Sequence, residues 1–332
     1  MRLRSCIHRL LLLLQCFAPL LPLAGCMPEF QSAAEVIDRR ILAIQVDPPE
    51  LANGVPAPGS ISVRALVADP TTPAATVSYE WRSCILEAST GRTAAMLGTN
   101  ASGPTGRCDE TDPATLIAAG DTHLGVLRQQ AAVPPAALAL LAEPEVGQPV
   151  MALRLQLKIA SPGGDLYGIK DVVLTRALPP LQPPNANPLL TGISFDGTDL
   201  QPGDTVSVTW RSCHSDALQE VKDHAEDETV KVCSHTVRPL FDDVQSEPYQ
   251  GKSYDGLALA SREKLSFAFF TDHGSFSNAT TTPPPAGTDP PDLGLQTRWR
   301  EPTTKASLST LWVVIRDGRG GESWSQYQVA IR

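Results

Sequence analysis

A tetrapeptide that occurs twice is the sequence feature that most constrains the fold. Trp-Arg-Ser-Cys stands at Trp81–Cys84 and again at Trp210–Cys213, each time directly after a stretch in which side chains alternate with the period of a strand. Each half then ends in two apolar runs joined by a Gly-Gly turn, Ser161–Gly164 and Asp317–Gly321. The same features recur in the same order at an offset of roughly 130 to 160 residues, which predicts an internal duplication.

Short apolar runs between turn residues predict an all-β chain. In Ser60–Val67 the apolar side chains fall on one face, and Met151–Leu157 alternates in the same way. The chain has 30 prolines, and proline-rich loops between short strands favour β-sandwiches over helical bundles. Further strands are predicted at 41–46, 75–82, 167–176, 189–195 and 205–209.

These elements divide the chain into two predicted domains. One β-sandwich spans 40–178 and contains an irregular insertion at 85–148, within which a short helix is predicted at 136–142 after Pro134-Pro135. The second sandwich spans 189–332. Between them, 179–188 is proline-rich and predicts an extended, semi-stiff spacer.

The order strand, turn, alternating strand, tryptophan and Gly-Gly hairpin resembles the immunoglobulin-like and PKD-like modules of bacterial surface lipoproteins. The resemblance is clearest in Leu311–Gly321, covers most of 189–332 and extends more loosely over 40–178. It implies two tandem immunoglobulin-like β-sandwich domains and brings no catalytic residues. Each cysteine follows its tryptophan by three residues, so the inter-sheet disulfide of antibody domains is not expected.

The N-terminus has the layout of a secretory signal over 1–25. Three arginines precede an apolar run at 10–23. Leu23-Ala24-Gly25-Cys26 then resembles the lipobox of bacterial lipoproteins. The resemblance implies that Cys26 becomes the first mature residue and carries a diacylglyceryl group and an N-acyl chain such as palmitate, and two or more chains give stable anchoring. The alternative is an ordinary secreted protein cleaved near Ala24.

The anchor also gives an expected location. Residues 26–39 are predicted to be a lipidated tether that holds the first domain off the membrane. Met27 follows the cysteine where aspartate would favour inner-membrane retention, so the analogy favours the outer membrane. Loss of a signal with three arginines and no acid takes the formal charge from −9 to −12. An acidic chain without a basic cluster argues against nucleic-acid binding.

Cysteine usage predicts disulfides. The chain has seven cysteines: Cys6, Cys16, Cys26, Cys84, Cys108, Cys213 and Cys233. Removal of the signal and lipidation of Cys26 leave four, which allow three connectivities. One local pair per half, Cys84–Cys108 and Cys213–Cys233, matches the duplication. Each would close a loop of roughly 20 to 25 residues and contribute about 3 kcal/mol.

Metal binding is the alternative for the second pair. Cys213, His214, His224, Cys233 and His235 offer ligands, but their spacing fits no common zinc pattern. The acidic run at 216–228 offers carboxylates for calcium without the EF-hand pattern, and a solvated insertion is the preferred interpretation. No metal or cofactor is therefore predicted.

The tryptophans and the remaining motifs bear on function. Trp81 and Trp210 are predicted to be core residues. Trp299 and Trp324 lie near turns and, if exposed, would form a platform for a sugar or a protein. The sequence contains no Gly-x-Ser-x-Gly, His-Glu-x-x-His or phosphate loop, so no catalytic residue is predicted.

The sequence thus predicts a non-enzymatic cell-envelope lipoprotein. It would contact the membrane through its lipid and an envelope protein or a cell-wall polysaccharide through loops in 85–148 and 272–300. The alternatives are a carbohydrate-binding or adhesion module and, less favoured, a metal-dependent enzyme built around 213–235.

Overall fold

The computed structural model describes residues 33–53, 59–73, 75–86, 107–142, 151–161, 163–175, 183–209, 234–242, 246–252, 258–283, 294–302 and 306–332. The structural statements below concern these residues. The predicted signal, the lipidation site Cys26, the pair Cys213 and Cys233, Trp210 and the acidic run at 216–228 lie outside them.

Two sheets form the first module. Its elements are β1 (Arg40–Asp47), β2 (Glu50–Ala52), β3 (Ser60–Ala68), β4 (Thr76–Leu86), a 3-10 turn (Pro113–Thr115), β5 (Leu116–His123), β6 (Gly125–Ala132), α1 (Pro135–Ala142), β7 (Met151–Ile159) and β8 (Leu166–Thr175). One sheet has the order β1-β3-β6 and the other the order β2-β8-β7-β4-β5. The short helix is confirmed. The region expected to be an irregular insertion contains two strands, β5 paired with β4 and β6 paired with β3.

The second module repeats the arrangement. Its strands are β9 (Leu190–Phe195), β10 (Thr198–Leu200), β11 (Thr205–Val208), β12 (Ser234–Phe241), β13 (Pro248–Lys252), β14 (Ala258–Arg262), β15 (Ser266–Thr271), β16 (Ser275–Phe276), β17 (Thr280–Thr281), β18 (Thr297–Arg300), β19 (Leu308–Arg316) and β20 (Glu322–Ile331). The sheet orders are β10-β9-β12-β18-β16 and β11-β20-β19-β15-β17, and β13 and β14 form a separate hairpin.

The period-two patterns place the cores between these sheets. In β7, Leu153, Leu155 and Leu157 are fully buried and face Ile61 and Val63 of β3 within one cluster. The second core is more aromatic and includes Phe267, Phe269, Trp299 and Tyr327. Burial of each such side chain contributes roughly 1.5–3 kcal/mol. The predicted all-β class is therefore confirmed.

Both modules share one immunoglobulin-like topology. A short strand, β2 or β11, runs parallel to the last strand of its module, and that last strand forms the Gly-Gly hairpin with the strand before it. The next strand in the sheet is β4 in the first module and β15 in the second. The other sheets correspond as β1-β3-β6 and β9-β12-β18. This equivalence supports the duplication.

The recurrence of Trp-Arg-Ser-Cys, however, does not mark equivalent strands. Trp81 lies in β4, a central strand paired with β5 and β7. The second copy follows β11, an edge strand whose counterpart is β2. The alignment of the two tetrapeptides is thus wrong, because strand pairing is set by hydrogen bonding and burial over whole strands, and four residues are too few to identify it.

A third apolar cluster joins the modules. It combines side chains of β1 and β3 with side chains of β15 and β19, and its buried members are Val36, Leu42, Ala43, Leu66, Ala68, Ala268, Trp312 and Val314. A shared cluster of this kind holds two modules in one arrangement, whereas a flexible pair exposes such side chains to water.

The predicted spacer also packs at this junction. Asn185 is 3% exposed, its backbone N–H donates to Glu50 Oε2 at 2.6 Å, and its side-chain amide donates to Asp317 Oδ2 at 2.9 Å. In the second Gly-Gly turn, a Cβ on Gly321 would lie 2.8 Å from the carbonyl oxygen of Ala186. From Asn185 onward the linker is therefore packed at the junction, while 179–182 of the predicted spacer lie outside the described residues.

The predicted tether is likewise docked in its described part. The N–H of Val36 donates to Thr271 O at 2.8 Å, and the N–H of Thr271 donates to Ala34 O at 2.9 Å. Ala34 and Val36 are both 0% exposed. Ala34 and Val36 thus pack on the modules, because their small and apolar side chains gain more from burial than from solvation.

Candidate functional site

A polar cavity of about 580 Å³ opens at one end of the second module. It lies where β9, β11, β12 and β18 end, with Phe195 and Val206 on its apolar walls. Its polar lining comprises Asp196, Thr198, Ser207, Thr209, Ser234, His235, Thr236, Arg298 and Glu301. A cavity with these convergent polar groups is the candidate ligand site that the described residues offer.

His235 is the central side chain of this cavity. Antiparallel pairing of β12 with β18 puts it directly opposite Trp299, and its ring stacks on Phe195 with centroids 5.0 Å apart. Its Nδ1 lies 2.6 Å from Asp196 Oδ2 and its Nε2 lies 3.1 Å from Glu301 Oε1. The imidazole is thus held by carboxylates on both edges.

The turn between β9 and β10 positions the first of these carboxylates. Asp196 has φ of 49° and Gly197 has φ of 82°, so the predicted Asp-Gly turn is confirmed. The Oδ1 of Asp196 accepts the backbone N–H of Thr236 at 2.8 Å, which ties the turn to β12. Sequence analysis identified the turn and missed the pairing with His235, because the two residues meet only through the sheet.

This geometry makes His235 a link within the second module. Each ring nitrogen lies within hydrogen-bond distance of a carboxylate, so the ring connects β12 to the turn after β9 and to Glu301, which follows β18. The described residues contain no group of three or more His, Cys, Asp or Glu placed to hold a metal ion. The other four ligands considered for zinc lie outside the described residues.

The first predicted disulfide is present. Cys84 and Cys108 are bonded, with Cα atoms 5.6 Å apart and a sequence separation of 24. The bond fixes the segment 107–115 across the outer face of the sheet that contains β4 and β7. There the backbone N–H of Cys108 donates to Gln156 Oε1 at 3.0 Å, and Arg82 donates to Thr115 Oγ1 at 2.7 Å. The disulfide thus secures a loop and does not join the two sheets.

Charged side chains complete this covered face. Lys158 Nζ lies 3.0 Å from Glu110 and 3.2 Å from Asp165, and these two carboxylates raise the pKa of Lys158. The guanidinium of Arg107 lies 3.9 Å from the ring centre of Tyr167. These contacts are partly exposed, so each stabilises the loop only modestly.

The structure corrects the predicted tryptophan platform at Trp299 and leaves Trp324 partly accessible. Trp299 is 0% exposed and its indole N–H donates to His273 O at 3.1 Å, so it is a core residue. Trp324 is half-buried, and Arg64 lies 5.2 Å from the centre of its ring. The expectation failed because strand alternation in β18 turns Trp299 inward. Trp81, at 1% exposed, is the core residue that the sequence predicted.

A buried carboxylate cluster lies at the junction and was not anticipated. Arg319 Nη2 lies 2.9 Å from Glu50 Oε2, and its Nη1 lies 2.8 Å from Glu263 Oε1 and 4.0 Å from Glu247 Oε2. Burial, and then the negative charge of Asp317, raises the pKa of Glu263 to about 7. Burial also raises the pKa of Glu247. The guanidinium of Arg319 therefore pairs with three carboxylates, those of Glu50, Glu247 and Glu263.

A second ion pair spans the junction nearby. Lys170 Nζ of β8 lies 3.0 Å from Glu322 Oε2 at the start of β20, and both side chains are largely buried. Arg316 Nη2 lies 2.7 Å from the other oxygen of Glu322. No sequence signal marks the pair of Lys170 and Glu322, since the two residues lie 152 positions apart along the chain. Among the described residues, no helix has the length and apolarity needed to cross a membrane.

Comparisons with known proteins do not assign this chain to a family. No family model matches it and no curated protein matches it. Among solved structures it is similar to latent PorU from Porphyromonas gingivalis, at 10% identity over 90% of this chain and 24% of that chain, with a TM-score of 0.21. A chimeric titin Z1Z2 is 11% identical over 82% of this chain and 89% of that chain, with a TM-score of 0.18.

Salmonella alpha-2-macroglobulin reacted with methylamine is a further match, at 8% identity over 91% of this chain and 17% of that chain, with a TM-score of 0.24. The chain spans about a quarter of the PorU structure and less of the macroglobulin. These scores carry no argument about function, and the fold rests on strand pairing alone.

Proposed function

We propose that this protein is a non-enzymatic lipoprotein of the cell envelope that is anchored through Cys26 and presents two fused immunoglobulin-like modules to an envelope protein or a cell-wall component. The lipobox-like Leu23–Cys26 supports the anchor, and Met27 favours the outer membrane. The acidic charge argues against a nucleic-acid partner.

The shared junction is the observation that best supports the proposal that both modules are presented to a partner as one body. Eight buried apolar side chains from both modules and the docked tether form one cluster. Modules fixed in this way keep their loop ends at constant separation, so a partner that contacts both pays little ordering entropy on binding. The cavity beside His235 provides one polar recognition point on this body.

No observation on the described residues specifically favours a carbohydrate-binding or adhesion module or a metal-dependent enzyme. A carbohydrate platform loses Trp299 to the core. A metal-dependent enzyme would need ligands from 210–233, which lie outside the described residues, because the described residues contain no group of three or more His, Cys, Asp or Glu placed to hold a metal ion.

Mass spectrometry of the mature N-terminal peptide tests the anchor. The expected mass corresponds to Cys26 with a diacylglyceryl group and an N-acyl chain, and Cys26→Ser is expected to release the protein from the membrane fraction. An unmodified Cys26, or a mature chain that starts at another residue, would refute the lipoprotein assignment.

Crosslinking from solubilised envelope tests the recognition role. Wild-type bait is compared with Arg298→Glu at the cavity and with Arg128→Glu, an exposed position on β6, as the matched control. Loss of the captured partner with Arg298→Glu alone supports recognition at the cavity. Equal capture by all three baits would remove this cavity from the proposal.

A further inference from the structure

The N-terminal part of the described chain is built into the second module. Glu35 forms a parallel bridge with Thr271 at the end of β15, and the hydrogen bonds of Val36 and Ala34 with Thr271 flank it. Ala34 belongs to the core of the second module and Val36 to the junction cluster. The segment therefore reaches the second module before the chain enters the first strand of the first module.

Side chains that follow this segment fix it further. Arg40 donates to the carbonyl oxygen of Ala33 at 3.4 Å. Arg39 donates to Asp69 Oδ2 at 3.0 Å and to Ala160 O at 3.1 Å, and both acceptors lie in the first module. The stretch from Ala33 to Arg40 is thus bound to both modules along its length.

Docking shortens the chain between the predicted lipid and the folded body. Cys26 precedes Ala33 by seven residues, which can span at most about 25 Å when fully extended. A free tether over all of 26–39 would allow about 45 Å to the start of β1. The shorter span to Ala33 limits which surface of the protein can lie near the lipid.

We propose that the surface of the second module around Thr271–His273 faces the bilayer in which Cys26 is anchored, so that the chain is held beside its junction and not at the free end of its first module. This inference rests on the proposed lipidation. The surface carries both signs of charge, with the exposed Asp38 and the partly exposed Arg40 among its groups. Attraction to anionic headgroups is therefore weak, and the short tether alone sets the orientation.

Hydrogen exchange of the mature protein tests the docking without any lipid. The amide hydrogens of Val36 and Thr271 are expected to exchange slowly, because each donates to a backbone carbonyl. Val36→Pro removes one donor and should release both sites, whereas Val36→Ile keeps the donor and serves as the matched control. Free exchange at both amides in the wild type would overturn the proposal.

Energy transfer in vesicles tests the orientation. Lipidated protein carrying a fluorophore in place of His273 is reconstituted in phosphatidylethanolamine and phosphatidylglycerol that contain a headgroup acceptor. Transfer is expected to be high for the wild type and Val36→Ile, and to fall for Val36→Pro. A ten-residue Gly-Ser insertion between Met27 and Pro28 should lower transfer too, since it adds up to about 35 Å of chain.

The docking of the N-terminal segment and the orientation towards the bilayer are tested separately. If Val36→Pro does not fold, the insertion still decides, and unchanged transfer with the insertion would overturn the proposed orientation. An unmodified Cys26 by mass spectrometry would remove the lipid and hence the proposed function, while slow exchange at Val36 would still establish the docked segment.

Discussion

The two modules reach the same strand layout by different means. The first has an aliphatic core around Trp81, and a disulfide-bound loop covers the outer face of its larger sheet. The second has an aromatic core, an open polar cavity held by His235, and the docked N-terminal segment. The comparison shows that strand order and alternation are common to both, whereas the sequence of each core and the covering of each sheet differ.

The largest expected effect tests whether the modules are energetically separate. Trp299→Ala in the second module and Trp81→Ala in the first should each lower the free energy of unfolding by about 3–5 kcal/mol. Because the junction cluster couples the modules, either substitution should shift one common calorimetric transition. Two separate transitions, with only one shifted by each variant, would show that the modules unfold independently.

The disulfide should affect the first module more than the second. Replacing Cys84 and Cys108 together by serine removes a constraint on a loop of 24 residues, which is expected to cost about 3 kcal/mol in urea unfolding. Hydrogen exchange should rise first in β4 and in the segment 107–115. Equal increases in β19 and β20 would show that the disulfide stabilises both modules alike, contrary to this prediction.

The carboxylate cluster at the junction should make the stability of the protein depend on pH. The folded-state pKa of Glu263, about 7, lies above the ordinary carboxyl value of 4.5, so the folded protein binds more protons between these values. The contribution of Glu263 to stability is therefore greatest below pH 4.5 and falls as the pH rises towards 7. Glu263→Gln stays neutral and should flatten this part of a plot of melting temperature against pH.

A matched control for this prediction lies in the first module. In Glu110, hydrogen bonds from Lys158 and Tyr167 outweigh the effect of burial, so the pKa of Glu110 is lowered. Glu110→Gln should therefore change stability in the opposite sense, with its loss confined to pH values above the folded pKa of Glu110. If Glu263→Gln retains the wild-type profile between pH 4.5 and 7, the cluster does not control the junction.

The smallest expected effect concerns the contact of Arg64 with Trp324 across the junction. Arg64→Ala should lower stability by about 0.5–1 kcal/mol for the lost cation–π contact, and it also removes the hydrogen bond from Arg64 to Gln45 Oε1. Arg128, which is exposed and directly opposite Arg64 in the β3–β6 ladder, provides the control. Arg128→Ala removes a like charge beside Arg64 and should not lower stability, so an equal loss in both variants would contradict the assigned contact.

Much of the local structure could be predicted because its causes are local. The alternation of Leu153, Leu155 and Leu157, the Asp196-Gly197 turn and the helix after Pro134 depend on neighbouring residues only. The Cys84–Cys108 bond was predicted because one local pair in each half matches the duplicated layout, and the bond is present. The pairing of His235 with Glu301 could not be predicted, because its two members come from different strands of a sheet.

The repeated Trp-Arg-Ser-Cys marks the limit between what the sequence decided and what the tertiary structure decided. The sequence by itself determined the β class, the duplicated layout and the turns, because side-chain period and turn residues act over a few positions. Only the tertiary structure decided that β4 corresponds to β15, that Trp299 is core, and that the linker and the N-terminal segment join the modules. Those outcomes depend on burial and hydrogen bonding between residues far apart in the chain, and no short stretch of sequence contains that information.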